Sequence, residues 1–206
     1  MKCQGHTPAR APLSSIVRRH IRGQLNHMRS LQDLDAKLSE LTDAFASVAT
    51  DAQFQFICTL ANEPIVEQQA YEGIYLIETK PSGPYRDFSS WINAFRMEWE
   101  HPQFKKSFTP NTKKKRIAFH STLKEWMPLY IGKSKNVASR IWEHINLALP
   151  DRTFALKLRA RPSVRLCDYR LSTINLRALG IRNYNLVAPA LESAMRERLH
   201  PLVGRQ

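Results

Sequence analysis

The segment from residue 128 to residue 149 constrains the fold most, because it joins a short apolar run directly to a helical pattern. Its first five residues, Pro-Leu-Tyr-Ile-Gly, predict a strand that ends at Gly132. The following residues, up to Pro150, place apolar side chains at helical spacing, and Ser134 is the expected N-cap. A similar strand is predicted at residues 73–77. The chain is therefore expected to combine a sheet with helices.

Further elements are predicted toward the end of the chain. Residues 154–158 and 164–171 are two more strand candidates, and a last helix is expected to begin at Pro189 and to end before Pro201. Glu192 lies beside the apolar stripe of that helix. The predicted fold class is α/β, of the α+β type, with a small mixed or antiparallel sheet flanked by helices.

The first seventy residues follow another pattern and are predicted to form an N-terminal helical arm. From Leu31 to Val48, apolar residues alternate three and four positions apart, which is the seam of an amphipathic helix with Ser30 as its N-cap. The seam is expected to pack on its own domain or, alternatively, to form a short helical dimer contact. Residues 16–28 predict a second, Arg-rich helix or arm, with either a solvated face or a phosphate-binding one.

Basic residues exceed acidic ones by 31 Lys and Arg to 18 Asp and Glu, which gives a net charge of +13. The excess lies in residues 1–30 and in the last two-thirds of the chain, whereas residues 31–72 are acidic. Such a balance predicts a polyanionic partner. Nucleic acid is favoured over an anionic membrane surface or a merely solubilising charge.

Apolar runs are too short for a transmembrane helix, and the first residues lead into Pro and Arg rather than into the apolar core of a secretory signal. The three cysteines, Cys3, Cys58 and Cys167, are odd in number and widely spaced, which favours free thiols over a disulfide framework or a zinc site. These features predict a cytoplasmic protein that does not interact with membranes.

A set of residues from the two predicted strands and the two helices after them carries a family resemblance. Its members are Gly73-Ile74-Tyr75, Tyr130-Ile131-Gly132, Arg140 ten residues after Tyr130, His144, and Glu192. In this order and spacing they resemble the GIY-YIG nuclease family. The resemblance covers residues 73–79 and 128–206, and it implies a GIY-YIG-like nuclease domain at residues 71–206.

The chain departs from the family pattern in two places. Family members usually join the two motif strands by a short hairpin, but here a basic insertion is predicted between them, at about residues 80–127. Residues 117–119 lie about where the first strand would ordinarily fall, yet residues 73–75 match the motif literally. Gly204 stands where the family commonly has an Asn.

Hydrolysis of a phosphodiester requires a positioned water, positive charge near the phosphate and a group that takes the proton. The resemblance implies a single-metal site in which Glu192 holds one Mg²⁺ or Mn²⁺ ion, and hard cations do prefer such oxygen ligands. Arg140 and Lys133 are the expected phosphate contacts. Three further side chains are expected to orient or deprotonate the water, namely Tyr75, Tyr130 and His144.

Each of these residues also has an ordinary structural explanation. Tyrosines are common in strands, Arg140 could pair with Glu143 or face solvent, and His144 could lie on a helix surface. Glu192 could simply favour the positive end of a helix that begins at Pro189. The order of the whole motif favours the catalytic interpretation.

The predicted insertion combines aromatic and basic residues. Three aromatic residues, Trp91, Phe95 and Trp99, are four positions apart and predict a helix packed on the core. The basic run that follows, Lys113, Lys114, Lys115 and Arg116, predicts contact with DNA phosphates.

The function predicted from these features is a divalent-metal-dependent endonuclease that cuts double-stranded DNA at a specific sequence. Among its relatives, the compact chain most resembles a Type II restriction enzyme, a homodimer that cuts a palindrome and has a cognate methyltransferase for the same site. One alternative is a monomeric GIY-YIG nuclease of repair or of a mobile element. Another is a DNA-binding protein that retains the fold without catalysis.

Overall fold

The computed structural model describes residues 15–205, without the side chains of residues 15–28, 46, 49 and 50. The described part of the chain falls into two units, one that ends at Ala44 and one that begins at Phe45. Within these residues no helix is long and apolar enough to span a membrane. Cys58 and Cys167 are free thiols, buried and exposed respectively, and Cys3 lies outside the described residues.

The N-terminal helix α1 spans Ser15–Asp51 without interruption. The predicted start at Ser30, and a separate helix at residues 16–28, are therefore wrong, because Ser30 lies in the helix interior. Four side chains of the predicted seam are more than half exposed, namely Leu31, Leu34, Leu38 and Leu41. This seam is therefore not buried within its own unit. The described residues of the first unit all belong to α1, so no other described element of that unit covers the apolar stripe.

The second unit is built on a four-stranded sheet in which every pairing is antiparallel. The strands are β1 Gln55–Thr59, β2 Gly73–Thr79, β4 Met127–Ser134 and β5 Tyr169–Asn175. They lie side by side in the order β1-β5-β2-β4. The mixed α/β class and the two motif strands are confirmed. Residues 154–158 form no strand, and the strand expected at 164–171 begins only at Tyr169. Strand β1 also places part of the predicted 70-residue arm within this sheet.

Five α-helices of the second unit surround the sheet or its connections: α2 Glu63–Glu67, α3 Phe88–Trp99, α4 Lys114–Ile117, α5 Val137–Asn146 and α6 Tyr184–Leu199. Helix α5 begins after Asn136, whose side chain accepts from the Ser139 N–H, so the expected cap at Ser134 is wrong. Helix α6 begins five residues before Pro189, which lies inside it. Its early start changes the position of Glu192, as described below.

Helices α5 and α6 pack on opposite faces of the sheet. The stripe of α5 formed by Val137, Ile141 and Ile145 joins the core cluster that contains Tyr75 and Ile77 of β2. The α6 residues Ala188, Leu191 and Met195 join the cluster that contains Ile74 and Leu76. Because side chains alternate along a strand, β2 supplies one core with its odd residues and the other with its even ones.

The insertion between β2 and β4 folds back onto the end of the chain. Trp91, Phe95 and Trp99 stack along α3 with ring centroids 5.4 Å apart, which confirms the packed helix expected there. Strand β3, Asn111–Thr112, then pairs with β6, Val203–Gly204, in a separate two-stranded sheet. This pairing fixes the start of α4, and thus the basic run, beside the C-terminal residues.

Candidate active site

The two motif tripeptides lie side by side at one edge of the sheet. Strand β4 is the edge strand, β2 is its neighbour, and Tyr75 is paired in register with Gly132. The rings of Tyr75 and Tyr130 stack with centroids 6.2 Å apart, and both are almost fully buried. Residue 117 ends α4 and residues 118–119 form a turn, so of the two candidate segments only residues 73–75 lie in a strand.

Gly132 is required at this edge by the side chain of Tyr75. A Cβ at residue 132 would lie 2.3 Å from the Tyr75 hydroxyl oxygen and 2.9 Å from Cε1 of Tyr130. Only a glycine therefore lets the Tyr75 hydroxyl lie directly over the backbone of β4.

His144 on α5 holds the Tyr75 hydroxyl from the core side. It is fully buried, rather than lying on a helix surface, and its Nε2 is 2.8 Å from the Tyr75 oxygen. The backbone N–H of Leu156 donates to Nδ1 at 3.0 Å. A neutral imidazole that accepts at Nδ1 carries its proton on Nε2, so His144 donates to Tyr75.

Burial shifts the pKa values of Tyr75 and His144 in the directions that favour their neutral forms. Desolvation, followed by the positive charge of Arg140, holds the pKa of His144 well below its usual 6.5. Desolvation and the neighbouring Tyr130 raise the pKa of Tyr75 well above its usual 10, although Arg140 acts in the opposite direction. The pair is therefore neutral at physiological pH, with the Tyr75 proton free to point away from His144.

Arg140 lies one helical turn before His144 and is also held by the protein. Its guanidinium pairs with Glu143, as the structural explanation expected, and donates to the carbonyl oxygen of Phe154. Burial opposes its charge, but Tyr75 and Glu143 together raise its pKa above the ordinary value, so it stays charged. Arg140 is thus a fixed positive charge beside the Tyr75 hydroxyl.

Glu192 lies on the other side of β4, on α6, and is 6% exposed. Its Oε2 accepts from Lys133 Nζ at 2.8 Å, and its Oε1 accepts from Arg196 at 2.6 Å. Because α6 begins at Tyr184, Glu192 is in the third turn, and the explanation that it favours a helix N-terminus is wrong. A buried carboxylate held by two cations is the usual way in which a protein retains such a charge.

The groups on the two sides of β4 come together at its edge. Lys133 directly follows Gly132, and the charge of Glu192 lies close enough to Tyr75 to raise its pKa. Five of the predicted residues therefore form one site around Gly132: Tyr75, Tyr130, Arg140, His144 and Glu192. Lys133 belongs to it as well, with its ammonium on the carboxylate.

The donor set fits a hard divalent cation. Among the side chains that the structure describes, no group of three or more His, Cys, Asp or Glu could enclose a metal ion, so an ion on Glu192 would take its other ligands from water or substrate. Mg²⁺ is commonly held by one or two carboxylates together with waters and substrate phosphates. Each carboxylate oxygen of Glu192 has a second lone pair beyond those used by Lys133 and Arg196.

The basic run lies close to this site. Lys113 and Arg116 are half-buried, whereas Lys114 and Lys115 are exposed. The charge of Arg196 lowers the pKa of both Lys113 and Arg116, after burial as the larger cause, so these side chains lie near the residue that holds Glu192. Lys113 and Arg116, which are 76 or more positions before Glu192 in the sequence, thus lie near it in the fold.

Sequence reasoning missed three groups that hold the site. Arg196 could have been identified from its position four residues after Glu192, which places the two on one helix face. The backbone groups of Phe154 and Leu156, which hold Arg140 and His144, have no signal in the sequence because the segment carrying them is irregular.

Comparisons with protein-family models, with curated proteins and with solved structures gave no match to this chain.

Proposed function

We propose that this protein is a divalent-metal-dependent endonuclease that hydrolyses phosphodiester bonds of double-stranded DNA. The observation that carries the proposal is the meeting of two groups of side chains at Gly132. A buried Tyr75–His144 pair beside Arg140 lies on one side, and a buried Glu192 held by Lys133 lies on the other. The resemblance of these residues to the GIY-YIG motif supports the same function.

Each residue has a defined task in this proposal. Glu192 holds one Mg²⁺ or Mn²⁺ ion, which when bound neutralises charge that develops on the phosphate. Arg140 presents its remaining guanidinium donors to a phosphate oxygen. The Lys133 ammonium leaves Glu192 and contacts the phosphate. Both side chains supply positive charge where the transition state becomes more negative.

Tyr75 orients the attacking water through its hydroxyl. His144 donates to the hydroxyl oxygen and so directs the Tyr75 proton outward, which makes His144 a positioning residue. Because both ring nitrogens of His144 are bonded to protein atoms, it does not itself contact the water. Tyr75 accepts the proton of the water only as a phenolate, once its own proton has passed to solvent. The charge of Arg140 favours that form, whereas burial opposes it.

Within this class we favour a Type II restriction enzyme that acts as a homodimer in the cytoplasm, with a methyltransferase of the same specificity as its counterpart. The exposed apolar side chains of α1, such as Leu34 and Leu41, support a dimer over a monomeric repair or mobile-element nuclease. A twofold protein would match a palindromic site.

The test is incubation of the purified protein with long duplex DNA and Mg²⁺, with fragments resolved on a gel. Discrete bands that vanish with EDTA and in Glu192→Gln are expected. Glu197→Gln, an exposed residue of the same helix, should cut like the wild type. Binding of the duplex without any cutting under Mg²⁺ or Mn²⁺ would favour first a nuclease that acts on branched DNA and then the non-catalytic DNA-binding protein. Cutting by Glu192→Gln would remove the proposed metal ligand.

A further inference from the structure

A second cluster of cations lies beside the proposed active site, where the insertion meets the C-terminal strand. The backbone N–H of Lys113 donates to the carbonyl oxygen of Leu202 at 2.8 Å. Asn111 pairs in register with Gly204. Since α4 is a single turn, its last basic residue, Arg116, stays close to this anchor.

Gly204 determines where the two half-buried cations lie. A Cβ at residue 204 would be 3.1 Å from Nη1 of Arg116 and 3.6 Å from Cε of Lys113. Both side chains therefore pass over the same bare stretch of β6 backbone and converge there. Residues three apart share a helix face, and Lys114 and Lys115 lie on the other, exposed face of this turn.

Within the described part of the chain, the converging cations have no matching anion. Among the described residues, neither Lys113 nor Arg116 forms an ion pair with a carboxylate, although Glu197 is near enough to favour the charged form of Arg116. Burial lowers the pKa of Lys113, and the charges of Arg116 and Arg196 lower it further. Half-buried like charges cost free energy that a bound anion would offset.

Arg196 connects this cluster to the active site. One of its terminal nitrogens donates to Glu192 and to the carbonyl oxygen of Ile131, which fixes the guanidinium at the edge of β4. A guanidinium has five N–H donors, so others remain for a ligand. An anion between Arg196 and Arg116 would thus lie next to the carboxylate that we propose to hold the metal.

We propose that Lys113, Arg116 and Arg196 form a seat for one backbone phosphate of duplex DNA, adjoining the phosphate that is cut. The inference rests on the proposed function for its ligand, and it assigns the seat to half of the basic run rather than to all four residues. Phosphate contacts of this kind fix the register of a protein on its duplex. The seat would position the strand so that the neighbouring phosphate reaches Arg140 and Lys133.

The seat is tested with two double variants that remove the same charge. Lys113→Gln/Arg116→Gln is compared with Lys114→Gln/Lys115→Gln in the full-length protein. Binding of a fluorescent duplex is measured by anisotropy in EDTA over a range of salt concentrations. The duplex has about 20 base pairs, a length that spans the surface near the site. Loss of the contact to this one phosphate should lower the slope of log K against log salt by about 0.9 and weaken binding about tenfold or more. The control pair should show less than half of either change.

A third variant separates position from charge. Gly204→Ala keeps every cation but displaces the Arg116 guanidinium, and it should weaken binding about threefold or more at low salt. Thermal unfolding of each variant identifies any loss of folding.

The outcomes for the seat and for the proposed function are distinguishable. Equal slopes for the two double variants, or unchanged binding by Lys113→Gln/Arg116→Gln, would overturn the seat even if the wild type cuts DNA. Loss of slope in that variant alone supports the seat, even where the wild type binds DNA without cutting.

Discussion

The Lys133 ammonium lies 2.8 Å from Oε2 of Glu192, the carboxylate that we propose to hold the divalent cation. With Arg196 on the other oxygen, the carboxylate is already neutralised by two cations before any metal binds. A divalent cation approaching Glu192 is therefore repelled by both. Under the proposed function, bound DNA would change this balance, because a phosphate would give Lys133 another anion to bind and would add negative charge at the same place.

Replacing Lys133 should consequently improve metal binding in the absence of DNA. We expect Lys133→Met to bind Mn²⁺ about tenfold more tightly than the wild type, about 1.4 kcal/mol, as measured by titration calorimetry or electron paramagnetic resonance. Lys135→Met, an exposed neighbour, should match the wild type. Equal affinity in the Lys133 and Lys135 variants would show that the lysine does not compete with the metal.

Removing the Tyr75 hydroxyl should affect catalysis far more than folding. Tyr75→Phe keeps the stacked ring and loses the group that orients the water, so cleavage should fall about 100-fold or more, while unfolding free energy changes by about 1–2 kcal/mol. Tyr169→Phe is the matched control, since Tyr169 is also buried in the sheet. If both variants cut DNA equally well, Tyr75 is only a core residue.

A methyl group at residue 132 should disrupt the site through Tyr75. Gly132→Ala places Cβ 2.3 Å from the Tyr75 hydroxyl oxygen and 2.5 Å from Cζ, so the ring must move. We expect a loss of about 1–3 kcal/mol in unfolding free energy and cleavage reduced about 100-fold. Chemical denaturation and the gel assay measure the two effects. A variant as active as the wild type would mean that Tyr75 can move without consequence.

The buried His144 predicts how stability depends on pH. Its folded-state pKa is depressed below 6.5, so between that folded value and 6.5 the unfolded chain binds more protons than the folded one. Its contribution to stability is therefore complete above pH 6.5 and is lost as the pH falls, by at most about 1.4 kcal/mol per pH unit.

Urea unfolding at pH 7.5 and pH 5 checks this prediction. The stability of His144→Gln should fall less between the two pH values than that of the wild type, because the variant cannot take up the proton. His101→Gln, at an exposed position, should follow the wild type. If both variants lose as much stability between pH 7.5 and pH 5 as the wild type does, a group other than His144 takes up the proton.

Much of the candidate site could be predicted from the sequence because local pattern and motif agree there. Strands β2 and β4 have the β-branched and aromatic residues of buried strands, and Tyr75 and Tyr130 lie within them. The spacing of Arg140 and His144 placed both on one helix, which α5 confirms. What the spacing could not show is that His144 is buried, since this depends on the Leu156 segment that covers it.

The errors arise where tertiary contacts override local signals. Pro189 is typical of a first helical turn, yet α6 continues around it, and Tyr184 and Ala188 before it are buried on the sheet. Residues 154–158 are apolar like a strand, but the Leu156 N–H donates to His144 and Lys157 has a left-handed backbone conformation, so the segment is not a strand. The pairing of β3 with β6 joins residues about 90 positions apart, and two-residue strands leave no pattern to detect.

The exposed seam of α1 leads to a prediction about assembly. Leu34 and Leu41 are one heptad apart and each is more than half exposed, as is typical of a helix surface that is covered by another chain. We expect the wild type to sediment as a dimer and Leu34→Glu/Leu41→Glu as a monomer, because two charges per chain would be buried in the contact. Leu179→Glu, exposed outside α1, should remain a dimer.

Under the Type II proposal two subunits cut the two strands, so the monomeric variant should nick duplex DNA or cut it slowly, with a rate that rises with protein concentration. A wild type that sediments as a monomer at all concentrations and still cuts both strands would instead favour a repair or mobile-element nuclease.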